Sequence, residues 1–307
     1  MVRRVAQPRK RPGAEAVLRR RADGRARGVS LALVAVCTGL YLAGCAELAI
    51  AEDAAPPVSP PSTPAPPASG LNRVPIQLST ECKVKEPAFE GRSALRVVRR
   101  ALRDKRPVRV LAAGTSATLS TRGTSAVSGY PVRLENDLEG LLKGFEVDMF
   151  VRGFSGEIGG DAAERLQMEV AELKPDLVVW QVGTAEAMAR VDIADFAETL
   201  RGTLRWLSQN HIDVVLIDPA YVDLLKDDSK YNEFVKTIAD VARDERVLLV
   251  HRYEAMASLS GELARAHEKG ANSVSLSDLG YRCMAEYAAR AIVAGILQAD
   301  LEQTPKN

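Results

Sequence analysis

From Leu95 onward the apolar residues follow two rhythms that alternate along the chain. Leu95, Val98 and Leu102 recur at three- and four-residue spacing, one face of a helix, and a run over 108–113 that is apolar except for Arg109 then reads as a buried strand. The alternation repeats. Leu134, Leu138, Leu141 and Leu142 mark a second helix, followed by a strand over 145–151. Asp161 and Glu164 have the spacing of a capping box, which predicts a helix opening there with Leu166, Val170 and Leu173 on its apolar side. A third strand over 177–182 precedes a helix carrying Phe196, Leu200, Leu204 and Leu207, and a fourth over 214–217 precedes one carrying Phe234, Ile238 and Val241. A fifth strand over 247–250 leads to a helix around Met256 and a last helix over 278–297. Short strands that are apolar on both faces, separated by amphipathic helices, predict an α/β fold. Its parallel sheet would be doubly wound and covered by helices on both faces, in three layers. Ligands bind such a sheet beyond the carboxyl ends of its strands. The loops after the first three strands are therefore the predicted site.

The first 80 residues follow neither rhythm. Ten of the 41 basic residues fall before Gly28, against two of the 40 acidic ones, so the rest of the chain carries a net charge of about −7. That balance excludes nucleic acid as the expected partner, since phosphate recognition needs a basic face. The basic stretch is followed by uncharged, apolar residues over 29–43 and then by Leu42, Ala43, Gly44 and Cys45, the layout of an export signal. The Leu-Ala-Gly-Cys end resembles the lipobox of bacterial lipoproteins, which implies cleavage before Cys45 and acylation of its thiol. A second reading is an uncleaved anchor, because the apolar stretch continues to Ala51 with only Glu47 interrupting it. Both readings put the remainder outside the cytoplasm. The basic leader is long for a signal, which leaves room for a start codon further downstream. Ala46, where inner-membrane lipoproteins carry an aspartate, points to an outer membrane if the host envelope has one.

Pro56, Pro57, Pro60, Pro61, Pro64, Pro66 and Pro67 make residues 54–70 an extended spacer without a core of its own. The organisation expected is thus a signal over 1–44, a Pro-rich linker over 45–80, a globular domain over 81–300 and a polar tail over 301–307. After processing, Cys82 and Cys283 would be the remaining cysteines in an oxidising compartment, which predicts a disulfide between them; two separate buried thiols are the alternative.

Four short blocks carry candidate chemistry. Gly114, Thr115 and Ser116 follow the first strand; Gly153 and Gly156 flank Phe154 and Ser155 after the second; Gly183, Thr184, Ala185 and Glu186 follow the third; Asn272 and Ser275 precede Asp278, Leu279 and Gly280 at the last helix. In order and position these resemble the SGNH, or GDSL-like, hydrolase family over roughly residues 82–297. The resemblance implies a flavodoxin-like sheet of five parallel strands in the order 2-1-3-4-5 and cleavage of acyl esters on lipids or acetylated glycans. It places Ser116 at the nucleophile and the Gly156 amide in the oxyanion hole. Ala185 falls at the oxyanion asparagine, Asn272 at the catalytic acid and Ser275 at the catalytic histidine.

Three of these five positions lack the group the chemistry needs. A serine hydroxyl becomes a useful nucleophile only when a base accepts its proton, and Ser275 has no imidazole. Asn272 bears no charge to stabilise an imidazolium, and Ala185 has no amide to donate to an oxyanion. Losing the base alone costs about a million-fold in turnover. His211 precedes the fourth strand, at the wrong sheet edge, and His251 lies three strand spacings of about 4.8 Å from the first strand. His267 and Glu186 are the remaining candidates for a non-standard base. No His, Cys or carboxylate cluster has ligand spacing along the sequence, so neither a metal nor another cofactor is expected. Ser116 can equally cap a helix or fill a tight bend. The expectation is a lipid-tethered envelope protein with a silenced hydrolase domain that binds an acylated ligand, a glycan or a protein partner. An active esterase with a substitute base is the alternative.

Overall fold

The computed structural model describes residues 77–91, 93–114, 118, 129–153, 156–268 and 271–303. The chain divides into Met1–Thr63 and Pro64–Asn307, and every described residue lies in the second unit. The predicted signal, Cys45, most of the linker and Ser116 lie outside the described residues.

The strands are β1 (Phe89–Glu90), β2 (Val108–Gly114), β3 (Val147–Gly153), β4 (Leu177–Gln181), β5 (Asp213–Ile217) and β6 (Leu248–Val250). Between and after them run α1 (Arg96–Arg103), α2 (Tyr130–Leu141), α3 (Gly159–Leu173), α4 (Thr184–Ala189), α5 (Ile193–Gln209), α6 (Ser229–Asp244), α7 (Arg252–Arg265) and α8 (Asp278–Gln303). The sheet order is β1-β6-β5-β4-β2-β3, with β1 antiparallel to β6 and every other pair parallel. Leaving β1 aside, this is the 2-1-3-4-5 order. The expected five strands become six, because Phe89 and Glu90 pair with Val250 and Leu249 along the edge of β6.

Period-two side-chain alternation divides the core between the two faces of the sheet. Val108, Val110, Ala112, Leu177, Val179, Val215, Ile217, Leu248 and Val250 pack with α1, α2, α7 and α8. Leu111, Ala113, Val178, Trp180, Val214, Leu216 and Leu249 pack with α3, α5 and α6. β2, β4, β5 and β6 are largely buried on both sides, which is why their sequences are mostly apolar, whereas the edge strand β3 is only half-buried between Val147 and Gly153. Trp180 is a core residue of the second face.

Carboxylates fasten the ends. Asp213 Oδ2 accepts the amides of Val97 (2.8 Å) and Val98 (2.9 Å), so the start of β5 caps the first turn of α1. Asp192 and Asp228 cap α5 and α6. The capping box expected at Asp161 does not form: α3 starts two residues earlier at Gly159, its N-cap is Ile158, and Asp161 sits inside the first turn, where its charge favours the positive end of the helix dipole. The predicted disulfide joins Cys82 to Cys283, with Cα atoms 5.1 Å apart, tying the first described turn to α8. Among the described residues no helix is long and apolar enough to cross a membrane.

Candidate active site

β2, β3 and β4 run parallel and neighbour one another in the sheet, so their carboxyl ends lie on one edge of it. Gly114 ends β2 at a close approach. A Cβ at this position would lie 2.6 Å from Thr118 Oγ1 and 2.9 Å from Gln181 Cβ, so only glycine lets β2 and β4 run together at this point. Ser116, two residues on, is outside the described residues. Gly156 follows β3 with φ +79°, a left-handed turn that glycine adopts without strain. Gly183, at φ +90°, ends the β4 segment; a Cβ here would meet Ile238 Cδ1 at 2.4 Å.

The third block then becomes a short helix, α4, which the periodicity missed because six residues are too few to show one. Ala185 lies in its first turn and Glu186 is its capping carboxylate: Oε2 accepts the Gly183 amide at 3.0 Å. Burial raises the pKa of Glu186 above the usual carboxylate range, with the amides of Glu186, Gly183 and Gly159 opposing it. The cavity beside it is lined by Gly114, Trp180, Gln181 and Glu186, and by two ion pairs. Arg152 Nε donates to Glu169 at 2.7 Å and Arg165 Nε to Glu157 at 2.9 Å. The charges of these four side chains cancel, and Ala113, Ala162, Leu166 and Trp180 make much of the remaining lining apolar.

Asn272 and Ser275 lie in a single 3-10 stretch, Ala271–Leu276, ahead of α8. The Asn272 side chain is outside the described residues. Ser275 is only 3% exposed and its Oγ has no hydrogen-bond partner. Its carbonyl accepts from Arg252 Nη2 at 3.1 Å. Arg252 is wholly buried, and its Nε and Nη1 donate to nothing. Burial accordingly pulls its pKa down. Tyr130 is also wholly buried, and burial raises its pKa. Where the family resemblance puts an imidazole, the chain therefore holds an enclosed serine against an un-neutralised guanidinium. Sequence reading missed Arg252, because a single arginine after a strand carries no signal of burial.

The three histidines stand elsewhere. His211 lies ahead of β5, at the amino end of the strands, and His267 is exposed beyond α7. His251 follows β6, three strand spacings from β2, and is enclosed by carboxylates: its Nδ1 is 3.2 Å from Glu254 Oε2 and 3.8 Å from Asp218 Oδ2, and its Nε2 is 3.5 Å from Glu90 Oε1. Burial disfavours its charged form, but Asp218 and Glu254 outweigh burial and raise its pKa to about 10. Asp218 is itself pushed up to about 6 by burial. No sequence spacing announced this group, since β5 and β6 must pair before Asp218 and His251 meet.

A parallel sheet in the 2-1-3-4-5 order, with glycine-bearing blocks at the carboxyl ends of its strands, defines an SGNH-type hydrolase fold. The acetylxylan esterase Axe2 from Geobacillus stearothermophilus is similar to it, at 19% identity over 60% of this chain and 94% of Axe2, with a TM-score of 0.51. LAE5, an alpha/beta hydrolase enzyme from the metagenome of Lake Arreo, Spain, is 18% identical over 62% of this chain and 96% of its own, with a TM-score of 0.49. No curated protein matches the sequence. Residues 81–298 match the Non-GDSL lipase-like family, and the chain belongs to that family.

Proposed function

We propose that this protein is a lipid-anchored envelope protein whose SGNH-like domain has lost ester hydrolysis and retains its cleft to bind an acylated glycan. The observation that carries the reading is the environment of Ser275. The position that would hold the base is enclosed and its carbonyl is tied to Arg252. A general base must become an imidazolium as the serine attacks, and a buried, unpaired guanidinium alongside opposes that charge. Glu186 is a poor substitute, because its carboxylate is committed to capping α4.

The cleft supports binding. Gly114 and Trp180 line the cavity, and the nearly cancelling charges of Arg152, Arg165, Glu157 and Glu169 around it suit an uncharged polar ligand. Axe2 is an acetylxylan esterase, so an acetylated oligosaccharide is the first ligand to try. The anchor rests on Leu42, Ala43, Gly44 and Cys45 with the Pro-rich spacer behind them, which would hold the domain off the membrane.

Hydrolysis of p-nitrophenyl acetate and of acetylated xylo-oligosaccharide by the full chain and by S116A tests the reading. Equal, background rates in the two proteins, together with calorimetric binding of the oligosaccharide, are expected. Turnover that disappears in S116A would restore the enzyme.

A further inference from the structure

A second group of polar side chains lies at the carboxyl ends of β5 and β6, about 14 Å across the sheet from β2 by strand spacing. Asp218 follows β5, His251 follows β6, and Glu254 comes one turn into α7. One ligand atom from each lies within 4.8 Å of the other two. The group is held in place. Asp218 Oδ1 accepts the Tyr253 amide at 2.8 Å, which leaves Oδ2 directed at His251 Nδ1, and the His251 amide donates to Ala88 O at 2.9 Å. Asp218 is 0% exposed and its Oδ2 has no hydrogen-bond partner. A buried oxygen left in this state has lost its water without gaining a partner, which a cation would supply.

We propose that Asp218 Oδ2, His251 Nδ1 and Glu254 Oε2 bind a divalent first-row transition metal, with zinc as the leading ion. The donor set is one imidazole nitrogen and two carboxylate oxygens, which suits zinc; magnesium and calcium favour all-oxygen shells of six or more. Ligand atoms of a tetrahedral zinc site stand about 3.3 Å apart, given bonds of about 2.0 Å. The 3.2 Å between Nδ1 and Glu254 Oε2 already meets that, and 3.8 Å to Asp218 Oδ2 is a small closure away. Glu90, 3.5 Å from Nε2, supplies the outer carboxylate that metal-bound histidines use to fix the tautomer and free the other nitrogen. The Glu254 side chain is half exposed, giving the ion an entry path and leaving a fourth position to water. A proton on His251 is the competing occupant. It serves Glu254, but at 3.8 Å it leaves Asp218 Oδ2 outside hydrogen-bond reach.

The test uses the full chain without an affinity tag, stripped by a chelator and titrated calorimetrically with zinc chloride and, separately, magnesium chloride. Zinc-soaked crystals are read by anomalous scattering. One zinc per chain is expected, with an anomalous peak between the three side chains and weak magnesium uptake. E254Q changes a half-exposed side chain and leaves the core intact; it should weaken zinc binding by more than about tenfold, as should H251Q, and E90Q by about tenfold. No zinc uptake by the wild-type chain, or equal affinity in wild type and E254Q, overturns the site.

Discussion

At position 275 the obstacle to catalysis is the surroundings as much as the missing ring. Ser275 is enclosed and its carbonyl is held by a guanidinium with two unpaired donor nitrogens. Restoring the family's residues by N272D and S275H therefore brings a cation-forming base against a buried cation. The double variant is expected to hydrolyse p-nitrophenyl acetate no faster than the wild type, and to lose about 1–3 kcal/mol of stability in urea unfolding from overpacking. A gain in hydrolysis that also needs Ser116 would show that the scaffold was one step from activity. Five residues on, Gly280 illustrates how tightly this segment is built. A Cβ there would lie 1.9 Å from the Val274 carbonyl oxygen, while the Gly280 amide donates to Ser277 Oγ at 3.1 Å and Ser277 Oγ to the Val274 carbonyl at 2.7 Å. Backbone cannot step aside as a flexible side chain can. G280A should cost about 3 kcal/mol or more, seen as a lower urea midpoint, although alanine favours helix in general.

Between elements, the same burial that hides charge makes stability depend on pH. Asp213 caps α1 from the start of β5, and burial raises its pKa to about 6 despite the two amides it accepts. Its unfolded value is about 3.9. Between these values the folded chain binds more protons than the unfolded one, so stability falls as pH rises. The contribution is complete below about pH 4 and gone above about pH 6. Partial exposure trims the shift of two units to about 1–2 kcal/mol. Urea midpoints of the wild type and D213N, compared near pH 4 and near pH 7, should differ by that much more in favour of the wild type at the acid end; a gap that does not move with pH refutes the assignment. At this scale it also becomes clear what the sequence could disclose. β2, β4, β5 and β6 were legible because burial on both faces demands largely apolar runs, and α5 and α6 because one face of each is apolar at helical spacing. β1 was not, since two residues carry no period and exist as a strand only through β6. α4 is too short to show one, and Asp161 imitated a cap because helix first turns and caps favour the same acids. The candidate site divides the same way: blocks in chain order could be aligned, whereas Arg252 beneath Ser275 depends on the segment ahead of α8 packing on α7, and Asp218 beside His251 on the pairing of β5 with β6.

For the described unit as a whole, the first described turn must stay against α8. Cys82 and Cys283 hold it there, and the bond spans 201 residues, nearly the entire described unit. Cross-linking so distant a pair removes much of the freedom of the unfolded chain, about 5 kcal/mol on the loop-entropy argument, with measured effects commonly about 2–5. Native contacts there are partly exposed: Ser79 hydrogen-bonds to Glu286 (2.6 and 2.7 Å), Arg282 pairs with Glu81 at 2.8 Å, and the buried Tyr287 hydroxyl donates to the Cys82 carbonyl at 2.8 Å. Exposed pairs of that kind contribute at most about 1 kcal/mol each. The covalent link therefore dominates. The double variant C82S/C283S, and the wild type in reductant, should both lose about 2–5 kcal/mol by urea unfolding while keeping the far-ultraviolet circular dichroism of the fold. Because the link acts chiefly on the unfolded chain, the cleft at the ends of β2 and β4 should bind the same ligand with unchanged affinity once the variant is folded. A loss of binding without a loss of stability would mean instead that α8, through the Ser275 segment ahead of it, sets the shape of the site.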